Sequence, residues 1–253
     1  MHRKHLGVYI CAFALLVIAG CIRQLPTELT SQADEYCASI TLDGVREIVR
    51  EPGLEESRVI EWIDATYGIP TTSVTLSNES LPKYSETIRL FDWETPAARY
   101  RVEAVDGHVV ALHMGWKSQS PAIAAITHCL GDPNSYIAHV GLGNADQGHV
   151  LFLILFYPEQ GLLIRSGRSW SSPTAPSEGG DLPADFVLET TASGIRVSRS
   201  KSVAALIDEY LTVGLALDFR RKSHTAIRDW YRDQVRPWPE NDSTLQYTTE
   251  PYP

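Results

Sequence analysis

Thiols are the reactive side chains that this sequence positions most sharply. Cys21 directly follows Ile18-Ala19-Gly20, at the end of an apolar run from Leu6 to Gly20 that stands behind the basic start Met1-His2-Arg3-Lys4-His5. A basic stretch, a short apolar run and small residues at its end are the parts of a secretory signal, in order. The run is too short for a helix across a bilayer core, which takes about 20 apolar residues. Residues 1–20 therefore read as a signal that is removed, and residues 21–32, polar with Pro26 and no period, as a flexible tether. Cys11 leaves with the signal, so Cys37 and Cys129 are the thiols left in an oxidising compartment, where two thiols can pair. A bond between them would contribute something like 4 kcal/mol on the loop-entropy view. The alternative is that Cys129, which lies in a helical pattern, is a small core residue.

Other chemistry is weakly supported. His108, His113, His128, His139 and His149 are dispersed, without the His-x-His or His-x-Glu-x-x-His spacing that makes ligands converge on zinc, so no metal is expected. His108 and His113 lie an odd number of residues apart, which on a regular strand sends them to opposite faces. Gly141-Leu142-Gly143-Asn144-Ala145-Asp146-Gln147-Gly148 is rich enough in glycine to cradle a phosphate. A strand pattern follows it where a phosphate loop would open a helix, and a hairpin turn fits better. Its Asn-x-Asp is too short for a calcium loop. Arg165-Ser166-Gly167-Arg168-Ser169 lacks the Gly-x-Ser-x-Gly elbow of a serine hydrolase. Asp64, Asp92, Glu94 and Glu103 could meet as a carboxylate pair, but acidic residues on a solvated face are the default. No catalytic residue and no cofactor is assigned.

The quartet Ile18-Ala19-Gly20-Cys21 resembles the lipobox of bacterial lipoproteins. That resemblance implies that Cys21 carries acyl chains such as palmitate, that the signal is cut just before it, and that the protein sits on the extracytoplasmic side of a bacterial membrane. Each buried methylene is worth about 0.8 kcal/mol, so two or more chains hold a protein that one would not. The membrane partner is then lipid, engaged through Cys21.

The net charge is −9, and loss of Arg3 and Lys4 with the signal makes the remainder more acidic still. Such a chain disfavours nucleic acid and offers no basic patch for anionic headgroups. Phe219-Arg220-Arg221-Lys222 is the one dense basic spot, and it reads as the charged end of a helix. With 43% hydrophobic residues, six Trp and eleven Tyr, the chain can pack a core.

The elements that must position these groups follow a repeated grammar. Helical patterns over Leu42–Arg50 and Glu55–Tyr67 are broken apart by Pro52-Gly53, and the second ends at Gly68-Ile69-Pro70. Alternating segments follow at Thr72–Ser77, Thr87–Trp93, Arg99–Val105 and His108–Trp116, the last two joined by Asp106-Gly107, which suits a type I′ hairpin turn. A helix over Pro121–Leu130 then stops at Gly131-Asp132-Pro133, and strands follow at Tyr136–Leu142, His149–Tyr157 and Gly161–Ser166. The same helix–Gly-x-Pro–meander grammar about 60 residues apart reads as duplication. It resembles the helix-plus-antiparallel-sheet units of β-lactamase-inhibitor-protein-like folds.

The expected class is α+β: an antiparallel sheet built from two such units, 33–117 and 118–170, with C-terminal helices packed on it. Residues 171–183 read as a Ser/Pro/Gly-rich linker. The segment 184–236 reads as a hairpin, Phe186–Glu189 with Ile195–Ser198 around Ser193-Gly194, followed by helices over Ser202–Leu217, with Leu206, Ile207, Tyr210 and Leu211 inward, and Ser223–Val235, with Ile227, Trp230, Tyr231 and Val235 inward. The tail 237–253 reads as disordered. Trp93, Tyr100 and Trp116 are the candidate interface, set against a core role for the same rings. The function expected is that of a membrane-anchored envelope module for binding or assembly, its protein partner unknown. The alternatives are an envelope enzyme with a dispersed site and a ligand-binding lipoprotein.

Overall fold

Alternating β-branched and aromatic segments must find edge partners for their backbone groups, and here they find them in sequence order. The computed structural model describes residues 37, 49, 55–67, 72–76, 88–142, 149–170, 179–199, 201–217, 224–239 and 244–249. The expected signal, the expected tether, all but Val49 of the segment 42–50 expected to be helical, the Gly68-Ile69-Pro70 junction and the basic cluster at 219–222 lie outside those residues. The chain divides into two compact units, Met1–Ile40 and Thr41–Pro253. Of the first only Cys37 is described, in helical conformation; the account below is of the second.

Strands β1 (Thr72–Leu76), β2 (Ile88–Glu94), β3 (Ala98–Val105) and β4 (His108–Trp116) form one antiparallel meander, preceded by helix α1 (Glu56–Tyr67). Asp106 and Gly107 turn the β3–β4 hairpin with φ of 49° and 80°, as a type I′ turn requires. Helix α2 (Ile123–Leu130) buries Ile123 and Ile126 and ends on Gly131 at φ 78°. The second meander is β5 (Ser135–Leu142), β6 (His149–Tyr157) and β7 (Leu162–Trp170). Leu142 pairs with His149, so the described strand after the glycine-rich loop runs antiparallel to the strand before it.

The two meanders are not separate bodies. Strand β9 (Ala192–Ser198) inserts between β4 and β7, giving one nine-stranded antiparallel sheet in the order β1-β2-β3-β4-β9-β7-β6-β5-β10, where β10 is Arg236–Pro237. The expected Phe186–Glu189/Ile195–Ser198 hairpin is therefore corrected. Phe186 lies in a short helix, α3 (Ala184–Leu188), whose end is satisfied locally: the Thr190 hydroxyl donates to the Phe186 carbonyl and the Thr190 amide to that of Val187.

The tail is corrected as well. Strand β8 (Gly180–Pro183), inside the expected linker, pairs with β11 (Thr244–Tyr247), inside the expected disordered tail, and the pair buries Leu182 and Leu245. The Tyr136 hydroxyl accepts a hydrogen bond from the Gln246 amide, and Thr248 exchanges backbone bonds with Ala138 and Val140 on β5.

Helices α4 (Val203–Leu217) and α5 (His224–Asp233) cover one end of one sheet face. Leu206, Ile207 and Leu211 of α4 and Ile227 of α5 pack on Ile137, Ile154, Phe156 and Leu163. That is the predicted packing of C-terminal helices on the sheet, and the inward positions match those the 3.6-residue period picks out. The candidate site lies on the same sheet face, where Tyr210 of α4 meets residues of β2, β3 and β4 around one cavity.

Candidate functional site

Alternation places Asp92 and Glu94 of β2, Arg99, Arg101 and Glu103 of β3, His113 and Gly115 of β4, Gly194 and Arg196 of β9 and Arg165 of β7 on the face that α4 and α5 share. Most of these positions are ionisable, and they settle into pairs. Arg101 donates from Nε and Nη2 to the two carboxylate oxygens of Asp92, both at 2.7 Å, a side-on bidentate pair. Glu94 takes Arg99 at 2.7 Å and also Lys117. Arg196 donates to Glu103 in a pair that is almost wholly buried, the side chains being 1% and 5% exposed. The three described carboxylates that the sequence offered as a possible acid–base pair are thus each bound to a cation; the side chain of Asp64 lies outside the described residues.

A polar cavity of about 430 Å³ opens over these pairs, lined among others by Arg101, Glu103, His113, Arg165 and Tyr210. Its floor is bare at one level, because Gly115 and Gly194 are directly paired there with Arg99 and Arg165 as their outer neighbours. His113 is held well below the ordinary histidine range, first by burial and then by the positive charges of Arg196, Arg165 and Arg101. It is a neutral ring at neutral pH.

Beside it lies a second cavity of about 570 Å³, apolar and lined by rings. Phe152, 49% exposed, stacks on His139 at 6.2 Å between centroids. His139 meets Trp230 edge-on at 5.3 Å, Trp230 meets Tyr231 at 5.2 Å, and Tyr231 meets Tyr210 at 6.2 Å. The chain of rings ends at Arg165, whose guanidinium lies 5.7 Å from the Tyr210 ring centroid and donates from Nη1 to the Tyr210 hydroxyl at 3.3 Å. Arg165 and Tyr210 line both cavities and form the wall between them. Sequence reasoning missed all of this: Tyr210, Trp230 and Tyr231 show in the sequence only as inward positions of two helices.

The expected site residues fare unevenly. Trp93 and Tyr100 are cross-strand partners stacked at 5.0 Å with planes 9° apart, but Trp93 is only 3% exposed and belongs to the core. Tyr100 and Trp116 are half-buried. None of the three is exposed, so they do not form an exposed aromatic face, and Trp93 and Tyr100 are among the residues lining the polar cavity. Cys37 and Cys129 are each disulfide-bonded. Cys21 lies outside the described residues. His108, His128 and His149 join neither cavity lining, and among the described residues no group of three or more His, Cys, Asp and Glu side chains could hold a metal. No described helix is long and apolar enough to cross a membrane. No known protein family, characterised protein or solved structure matches this chain.

Proposed function

We propose that the chain is a lipoprotein of the bacterial cell envelope, held on the extracytoplasmic side by acyl chains on Cys21, whose α+β body is a binding module and not a catalyst. The anchor rests on the signal-like segment and the quartet Ile18-Ala19-Gly20-Cys21. The binding role rests on the ring-lined cavity beside β5, β6 and α5, whose volume is that of a small-molecule site and whose surface is apolar with a few convergent polar groups. The neighbouring carboxylates support binding over acid–base chemistry, since each is occupied by an arginine or lysine.

Two experiments test the two halves. Cys21→Ser is expected to move the protein from the membrane to the wash fraction, and retention on membranes after washing without detergent would refute the anchor. A photo-crosslinking benzoyl-phenylalanine placed at Phe152 in the native envelope is expected to give a covalent adduct on irradiation. The same residue placed at exposed Asp106 is expected to give none. Equal labelling at both positions, or none at Phe152, would overturn the binding role. The mass of the adduct separates a protein partner from a small ligand.

A further inference from the structure

Of the cations around the two cavities, one, Arg165, meets no carboxylate among the described residues. Around the polar cavity, Asp92 is matched by Arg101, Glu94 by Arg99 and Lys117, and Glu103 by Arg196. Arg165 has no carboxylate within ion-pair reach among the described residues. Its Nη1 is used by the Tyr210 hydroxyl, and its buried Nε has no hydrogen-bond partner among them. The edge left unpaired is Nε with Nη2, the same edge through which Arg101, on this very sheet face, grips both oxygens of Asp92.

We infer that Arg165, positioned by Tyr210, is the carboxylate-binding residue of a site for a small apolar monocarboxylate, with the head on the Nε–Nη2 edge and the body among Phe152, His139, Trp230 and Tyr231. This rests on the binding role proposed above and names its ligand class. Arg165 is a single guanidinium, and its one planar edge matches one carboxylate. A dianion such as a phosphate monoester would bring a second negative charge next to Asp92, Glu94 and Glu103, whose own cations are already engaged. The guanidinium on the Tyr210 face keeps its charge while shedding water, which favours a charge-assisted bidentate contact. Bare glycine at Gly115 and Gly194 leaves the sheet floor next to Arg165 free of side chains.

The test uses the full chain in non-ionic detergent micelles, by equilibrium dialysis with protein-free micelles as the blank. The probes are 2-naphthoate, its neutral amide and 2-naphthyl phosphate. Wild type is expected to bind the carboxylate more tightly than the amide by about ten- to a hundredfold, the usual scale of a hydrogen-bonded charge. The phosphate is expected to bind more weakly than the carboxylate. Arg165→Met is expected to remove the difference between carboxylate and amide while leaving amide binding in place, which itself shows that the cavity is still formed. Arg165→Lys, which keeps the charge but loses the planar edge, is expected to fall between. Equal affinity of wild type for carboxylate and amide, undiminished carboxylate binding by Arg165→Met, or preference for the phosphate would each overturn the assignment while leaving the binding role standing. Failure of wild type to bind either carboxylate or amide would overturn both.

Discussion

Arg196 and Glu103 pair across an intervening strand: Arg196 is on β9, Glu103 on β3, and β4 runs between them. The pair is diagonal, since Glu103 is opposite Ala111 on β4 whereas Arg196 is opposite His113, and the small Ala111 side chain leaves room for the reach. A buried pair of this kind is costly to break from one side, because the remaining charge is left in a medium that cannot solvate it. Arg196→Met or Glu103→Leu alone is expected to cost about 3–5 kcal/mol, and the two together much less than the sum. Urea denaturation of the four members of this cycle measures the coupling. Asp92→Asn provides the contrast: its pair with Arg101 is more than a third exposed on both sides, so the loss should stay at or below about 1 kcal/mol and shrink with added salt. Costs additive for Arg196 and Glu103 would show that the pair is not a unit.

His113 supplies a pH dependence with a definite sign. Burial and three arginines depress its folded-state pKa, so as pH falls through the ordinary histidine range, near 6.5, the unfolded chain takes up a proton that the folded protein refuses. Stability from this residue is therefore full above that range and declines below it, toward the depressed folded value. His113→Gln is expected to flatten the thermal-unfolding midpoint between pH 7 and 5 relative to wild type. A parallel decline in both proteins would assign the acid sensitivity elsewhere.

What could be read from the sequence was what neighbours in the chain decide. The Asp106-Gly107 hairpin, the Gly131 stop and the inward positions Leu206, Ile207 and Leu211 are set by local geometry and period, and they fell where expected. The α+β class followed from them. The insertion of β9 between β4 and β7 did not, because a strand's place in a sheet is chosen by partners far away in sequence, and the run containing Ser193 and Gly194 looked like a turn. Both glycines of the cavity floor were hidden for the same reason. Arg165 carries no local signature either. It becomes distinctive only when Asp92, Glu94 and Glu103 are seen to be matched with other cations.

The thiols give a direct chemical check. Cys37 and Cys129 are each disulfide-bonded, so neither is expected to take up iodoacetamide in denaturant without a reducing agent, and both should after reduction. Peptide mass mapping reads the two states, and alkylation of either residue before reduction would contradict the bonded state.

Gly194 and Gly115 separate two roles of glycine in one cross-strand pair. A Cβ on Gly194 would fall 2.8 Å from the Met114 carbonyl oxygen, closer than side-chain carbons approach backbone, whereas on Gly115 the nearest atom, the Ser193 carbonyl oxygen, is 3.6 Å away. Gly194→Ala must push β4 and β9 apart and is expected to cost about 1–3 kcal/mol, the range of overpacking in a closed site. Gly115→Ala is expected to be within about 0.5 kcal/mol of wild type. Equal effects on the thermal midpoint would mean that the strands adjust freely at this level.

The C-terminal segment is a structural strap, and shortening it should show that. Leu245 is buried against Leu182, the Gln246 amide binds the Tyr136 hydroxyl, and Thr248 bonds to β5 on both sides of His139, a ring of the apolar cavity. Composition favours disorder here because the segment has few apolar residues of its own; its order comes from β8 and β5, which supply the missing partners. Leu245→Asp puts a charge into a closed apolar contact and is expected to cost about 2–4 kcal/mol, detaching β11 from β8. Ending the chain at Ser243 should have the same effect without any new charge. Hydrogen exchange would then rise at Val140, whose amide bonds to the Thr248 carbonyl, while the β3–β4 hairpin stays protected. Unchanged protection at Val140 after either change would show that β5 does not depend on the strap.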